Sequence, residues 1–130
     1  MNNYESYAGV FLLSLALAVI LGAFGSHVLE AQISEKYIDI YDTASFYHFV
    51  HSIGALVVIQ YLKHKAPEKI KTVSVIFLLG IILFSGSLYI LSIHEIFSAP
   101  GLRKLGAITP IGGLLFITAW SYSGWLLMKK

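Results

Sequence analysis

A few histidines, tyrosines and hydroxyls, set in stretches otherwise almost free of polar atoms, are the residues of this chain that could do chemistry. Tyr47, His48 and His51 share one apolar stretch, Ser85, Ser87 and Tyr89 the next, Thr109 the last, and His27 closes the first. Tyr47 and His51 are four apart, as are Ser85 and Tyr89, while His48 and His51 are three apart, so each pair can share a helical face. Such groups suit three kinds of work. His27, His48 and His51 could ligate a metal or a haem, the groups could form a proton relay, or they could line a pocket for a quinone, a lipid headgroup or a small solute. The plainer alternative is that neutral histidines bond to hydroxyls on neighbouring helices and only hold them together, each bond contributing about 1 kcal/mol or less.

Several classes fall away at once. The chain has no cysteine, which removes disulfides, thiolate metal sites and cysteine nucleophiles. HxxH at His48 and His51 comes without a carboxylate in the apolar stretches and without an HExxH motif, so metal ligation rests on weak candidates and no cofactor is expected. Ser85 and Ser87 have no base on their own helix, and neither a GxSxG elbow nor a phosphate loop nor a dinucleotide fingerprint occurs. An enzyme is not expected. A net charge of +2, scattered along the chain, does not suggest a nucleic-acid partner.

What must position these residues is a set of membrane spans. Only 12% of the 130 residues are charged, about half the share in soluble domains, and the mean hydropathy is +0.76. Four windows, 6–29, 43–62, 72–94 and 105–128, lack any Asp, Glu, Lys or Arg, and each meets the roughly 20-residue requirement for crossing a bilayer. The first window lacks the basic leader of a signal peptide and is expected to be a retained helix. Spans near 8–28, 43–62, 72–94 and 105–128 therefore form one domain over 1–130. In the first, Ser14, Ala18, Gly22 and Ser26 recur every four residues as a small-residue ridge that admits a close neighbour. Between the first two spans, Leu29, Ile33, Tyr37 and Ile40 fall at helical spacing among acids, predicting a short amphipathic helix in the interface, capped by Ser34. In the fourth, Pro110 followed by Gly112 and Gly113 predicts a kink packed against Ser85, Gly86 and Ser87.

Alternating spans bring the polar groups together. Lys63, Lys65, Lys69, Lys71, Lys129 and Lys130 share one side with the N-terminus, against Lys36, Arg103 and Lys104 on the other, which places both termini in the cytoplasm. Counting about 1.5 Å of rise per residue from the outer boundary, His48 and Tyr89 lie about 9 Å deep, His51 about 13 Å, Ser85 about 15 Å, and the Thr109–Gly113 segment about 7–13 Å. His27 sits at the outer end. All four spans thus offer unusual residues to the same half of the bilayer.

The motifs Gly22-Ala23-Phe24-Gly25-Ser26-His27, Tyr47 with His51, Phe84-Ser85-Gly86-Ser87-Leu88-Tyr89 and Thr109-Pro110-Ile111-Gly112-Gly113 together resemble the YwdK/YgdD-like family of small, uncharacterised bacterial membrane proteins, which has a mitochondrial relative in animals. The resemblance covers nearly the whole chain. It implies a four-helix membrane fold without naming a reaction. Ser26 stands where the family prefers Ala, and His48 and His94 lie outside the family pattern, whereas His27, Tyr47 and His51 match it.

The resulting expectation is an all-α integral membrane four-helix bundle, multi-pass in the cytoplasmic membrane, with a kinked fourth helix. Its pocket, lined by His27, Tyr47, His51, Ser85, Ser87, Tyr89 and Thr109, would hold a small ligand, a lipid headgroup or a proton. Ser14, Ala18, Gly22, Ser26, Gly86, Pro110, Gly112 and Gly113 would pack helices, leaving homo-oligomerisation through small-residue faces open. A structural or accessory protein is the first alternative, and a His-ligated metal, haem or quinone redox subunit the second.

Overall fold

The computed structural model describes residues 3–129. Every described element is helical, as hydrocarbon requires of a chain this apolar, because a helix satisfies its own N–H and C=O groups. Helix α1 (Asn3–Phe24) runs into a π-helical turn, Gly25–Leu29; α2 (Glu35–Lys65) returns; α3 (Ile70–Gly80), a second π-helical segment (Ile81–Gly86) and α4 (Ser87–Ser92) make the third span; and α5 (Thr109–Met128) makes the fourth. Among the described residues four helices are long and apolar enough to cross a membrane. The protein is an all-α membrane helical bundle.

The second span is the axis. Of its most apolar stretch 44% is buried against the rest of the protein, compared with 17% in the first and fourth spans, which face mainly lipid. Two apolar clusters grip it at different heights. One gathers Phe11, Val58, Ile59, Leu62, Ile70, Val73, Phe77, Phe116 and Leu126 at the lysine-rich end. The other gathers Leu29, Ile33, Tyr37, Tyr41, Ala44 and Tyr89 near the opposite turns. His48, His51 and Ser52, all buried, lie between Ala44 and Ala55, where the chain passes from one cluster to the other. Their polar atoms therefore lie between two apolar plugs.

Two details differ from the sequence expectation. No separate interfacial helix lies between the first two spans: Tyr37 and Ile40 belong to the opening turns of a continuous 31-residue α2, while Leu29 ends the π-helical turn of the first span and Ile33 lies in the connection. Leu29, Ile33 and Tyr37 are buried and Ile40 partly so, packed around Tyr41 and Tyr89 rather than spread in the headgroups. Nothing between Glu35 and Lys65 breaks a helix, since no proline occurs there, and tertiary packing claims the apolar stripe. Ser34 occupies the cap position without a side-chain capping bond, and its backbone N–H donates instead to Glu95 Oε2 at 3.4 Å.

The fourth span is not kinked at Pro110. That proline occupies the first turn of α5, where the missing N–H had no intrahelical partner to lose. The irregularity lies upstream, in a 3-10 segment, Pro100–Ala107. It is the third span that departs from α geometry mid-membrane, at Ile81–Gly86. Gly112 explains how the third and fourth spans come so close there. A Cβ on Gly112 would collide with the Phe84 backbone N, and would lie 2.8 Å from the Phe84 Cα.

Candidate functional site

The π-helical segment in the third span sets the site. One extra residue in a turn shifts the register of side chains and interrupts the i to i−4 pattern, a distortion found mostly at functional sites. Ser85 lies inside it, 1% exposed, and its Oγ has no hydrogen-bond partner. A helical serine ordinarily donates to the carbonyl four residues back, as Ser92 and Ser123 do here. Ser74 shares the unpartnered condition but lines none of the grooves described below.

Ser85 lines a groove of about 420 Å³ between the first and third spans. Val10, Leu13, Leu17 and Leu21 form one wall, Leu78, Ile81, Ile82 and Gly86 the other, with Ser14, His48, Ser85 and Tyr89 as the polar members of the lining. A hydrogen-bonded chain links three spans along it. Tyr89 Oη lies 3.3 Å from His48 Nδ1, His48 Nε2 lies 3.0 Å from Ser14 Oγ, and Ser14 Oγ lies 2.8 Å from Ser52 Oγ. A neutral imidazole has one donor and one acceptor nitrogen, so the chain can run from Tyr89 to Ser52 or in reverse. Gly86 leaves the groove open, because nothing lies within 4 Å of where its Cβ would be.

A second groove of about 450 Å³ opens between the second and fourth spans. Here His51 stacks on Phe116 with 3.4 Å between ring centroids and 15° between planes, and parallel to Tyr47 at 5.5 Å. Phe84 and Trp120 complete the aromatic lining. His51 Nδ1 donates to the Tyr47 carbonyl at 2.8 Å, which leaves Nε2 of the neutral ring as an acceptor with no partner among the described residues.

With this geometry in view, comparison with known proteins is informative. The model of the family described as protein of unknown function DUF423 matches residues 21–113. A relative from Bacillus subtilis, UPF0382 membrane protein YwdK, is 45% identical over 106 residues, covering 80% of each chain. This chain belongs to the DUF423 family. UPF0382 membrane proteins of Staphylococcus haemolyticus and Staphylococcus epidermidis are each 41% identical, over 80% and 83% of both chains respectively. No solved structure matches. The DUF423 match takes in His48, His51, Ser85, Tyr89 and Gly112, but ends short of Phe116 and Trp120 and begins after Ser14.

Membership of DUF423 brings no reaction with it, so the placement of each candidate residue matters. The seven residues expected to share one pocket are divided. Ser85 and Tyr89 line the groove between the first and third spans, and Tyr47 and His51 line the aromatic groove across the bundle. Ser87 and Thr109 form a third group. Ser87 donates to the Phe84 carbonyl at 2.9 Å, and Thr109 Oγ1 lies 2.8 Å from Ser87 Oγ, tying the third span to the start of the fourth. His27 is exposed on the π-helical turn ending the first span. His27, His48 and His51 do not converge, and no three of His, Cys, Asp and Glu come together among the described residues.

The packing residues divide as well. Ser14, Ala18 and Gly22 face the second span, with Ala18 fully buried and Ser45 Oγ 3.5 Å from a Cβ on Gly22. Ser26 is exposed and donates only to the Gly22 carbonyl. Gly113 meets the Phe84 ring at ordinary van der Waals distance, and Pro110 is exposed. Gly112 and Gly25 make close approaches, to Phe84 and Tyr41, and two more involve glycines that the motifs did not single out, Gly54 under Trp120 and Gly80 under Phe116.

Sequence reasoning missed Ser14 and Ser52 as partners of His48. Ser14 reads as one step of a small-residue ridge, and His48 lies outside the family pattern. The available signal was the four-residue spacing of His48 and Ser52, which puts an imidazole and a hydroxyl on one face of the central span.

Proposed function

We propose that this protein is a non-enzymatic binding module that holds a small amphiphile in the groove between its first and third spans. The apolar body would lie along Val10, Leu13, Leu78 and Ile82, and a hydroxyl or carbonyl would meet Ser85. The observation that carries this reading is the Ser85 hydroxyl, buried and unpartnered at a lipid-facing groove. An unsatisfied buried polar group costs about 1–3 kcal/mol, and a ligand atom would recover it. Tyr89, His48 and Ser14 add a polarisable chain able to donate or accept at the same place.

The same reading puts the bundle in the cytoplasmic membrane with both ends inside, since the lysine-rich turn Lys63–Lys71 and Lys129 lie at the end of the bundle that carries Tyr4 and Tyr7. The absence of cysteine makes this simple to test. A cysteine at Ser98 should react with an impermeant thiol reagent from outside intact cells, and one at Glu68 only after lysis.

Native mass spectrometry of protein released from its own membrane tests the binding. The expected result is a retained molecule lost on Gly86→Leu, which fills the groove, and weakened by Ser85→Ala. A bare wild-type protein, or retention unaffected by Gly86→Leu, would end the proposal. A second reading, that the protein is a structural or accessory subunit, is favoured by the bonds that tie span to span without any ligand, such as Tyr41 Oη donating to the Leu21 carbonyl at 2.6 Å. Bare protein of normal stability would support it. An oligomer would need a face other than the Ser14–Ala18–Gly22 ridge, which the second span already occupies.

A further inference from the structure

At the lysine-rich end, away from both grooves, we infer a binding site for the phosphodiester headgroup of an anionic phospholipid. The observation is a cup of about 510 Å³ where the second and fourth spans end, lined by Lys65, Lys69 and Lys129 on its rim and by Tyr122, Trp125 and Leu126 on its wall. Among the described residues Glu68 is the one carboxylate of the lining, against three lysines. The aromatic wall is half-open to the bilayer: Trp125 is 50% exposed, stacks with Tyr122 at 5.9 Å, and carries the Lys129 Nζ 5.3 Å above its ring. Cations beside an interfacial tryptophan match a headgroup, charge to charge, with the ring against the glycerol and first methylenes.

Helix-end electrostatics do not account for all three lysines. Lys65 and Lys129 sit at the C-terminal ends of α2 and α5, where a cation offsets the helix dipole. Lys69 does not. The chain breaks at Ala66 and Pro67, and Lys69 immediately precedes α3, at the positive end of that helix. A cation there is unfavourable unless an anion joins it, and the adjacent Glu68, exposed to solvent, offsets only one of the three lysine charges. The break in the chain thus turns Lys69 toward the same cup as the two helix-terminal lysines. A phosphodiester seated in the cup meets three lysines, and its own acyl chains would lead back into the bilayer beside the half-exposed Trp125. That last feature favours a lipid over free phosphate as the occupant. Basic pockets at the ends of membrane helices bind anionic headgroups by the same physics.

The chain has two tryptophans, so Trp120→Phe leaves Trp125 as the sole reporter beside the cup. The protein is reconstituted in phosphatidylcholine vesicles containing phosphatidylglycerol, with bromine placed near the top of the acyl chains of one lipid or the other. Brominated phosphatidylglycerol is expected to quench Trp125 more strongly, corresponding to a preference on the order of tenfold over phosphatidylcholine. The preference should fall to near unity in K65Q/K69Q/K129Q and persist in K65R/K69R/K129R. Equal quenching by the two lipids in the otherwise native chain would overturn the proposal by itself, whatever the lysine variants do. Loss of the preference on adding excess inorganic phosphate would overturn the lipid assignment in favour of free phosphate.

Discussion

His48 and His51 are one helical turn apart on the same span, yet they live in different chemistry. His48 is bonded through both ring nitrogens to other spans, to Ser14 on one side and Tyr89 on the other. His51 makes its one bond to the Tyr47 carbonyl of its own helix and otherwise presents ring faces to Phe116 and Tyr47. The first groove is a set of hydroxyls around an imidazole, and the second is a stack of rings around one. The difference shows what a central span does. With neighbours on several sides, residues three apart are handed to different partners, and equal side chains become a cross-link in one place and a stacking surface in the other.

The sharpest way to break this comparison is through two glycines of the neighbouring spans, Gly112 where the third and fourth spans cross and Gly86 in the wall of the first groove. Gly112→Ile should destabilise the bundle by about 2–3 kcal/mol or prevent its assembly, because the new side chain meets the Phe84 backbone and overpacks the crossing. Gly86→Ala, in the same region but facing open space, should be neutral or stabilising by about 0.5–1 kcal/mol. Reversible unfolding in mixed micelles, followed by helicity, measures both. Similar losses for the two would mean that the third and fourth spans do not cross where they are described.

Next in size is His48→Phe. It removes the His48 bond to the Tyr89 hydroxyl and one of the two bonds of Ser14, which keeps Ser52, and should cost about 1–2 kcal/mol, with His48→Gln recovering part of the loss. His51→Phe should change stability by less than about 0.5 kcal/mol, since the ring stack survives and the Tyr47 carbonyl keeps its place in the helix. If the same unfolding assay gives the two histidine variants equal losses, the contrast between cross-link and stacking surface fails.

The smallest expected effect is also the most informative about binding. Ser85→Ala should leave ligand-free protein as stable as before, or slightly more so, because it removes a polar atom that has no partner. Measured on protein as it leaves the membrane, the same substitution should lower stability through lost ligand. A clear destabilisation of the stripped protein would mean that Ser85 has a protein partner and the groove loses its main support.

Much of this was legible without coordinates. Charge-free windows of about 20 residues have one physical solution in a bilayer, so the four spans and the helical class follow from composition. The pairings Tyr47–His51 and Ser87–Thr109 concern residues already marked as unusual, but their separation into different groups was not legible. Depth can be counted along a helix at a fixed rise. Rotation about its axis cannot, because small errors accumulate and an apolar span offers no wet face to orient it. His27, Tyr47 and Ser85 can be given heights along their spans but not that angle, and the structure divides them among an exposed turn and two separate grooves. The amphipathic stripe from Leu29 to Ile40 was read correctly as a stripe, but its occupant, Tyr41 and Tyr89 rather than headgroups, is a matter of tertiary packing.

The amino-acid sequence by itself determined that the chain is a helical membrane protein, where its spans run and which residues are too polar to face lipid, because the transfer cost of charge and of unpaired backbone is local and additive along the chain. Only the tertiary structure decided which neighbour each polar group meets, where the third span takes its π-helical turn, and that Ser85 is left without a partner. Those outcomes depend on the rotation and crossing of whole helices, which close approaches such as Gly112 on Phe84 set, and no single stretch of sequence encodes them.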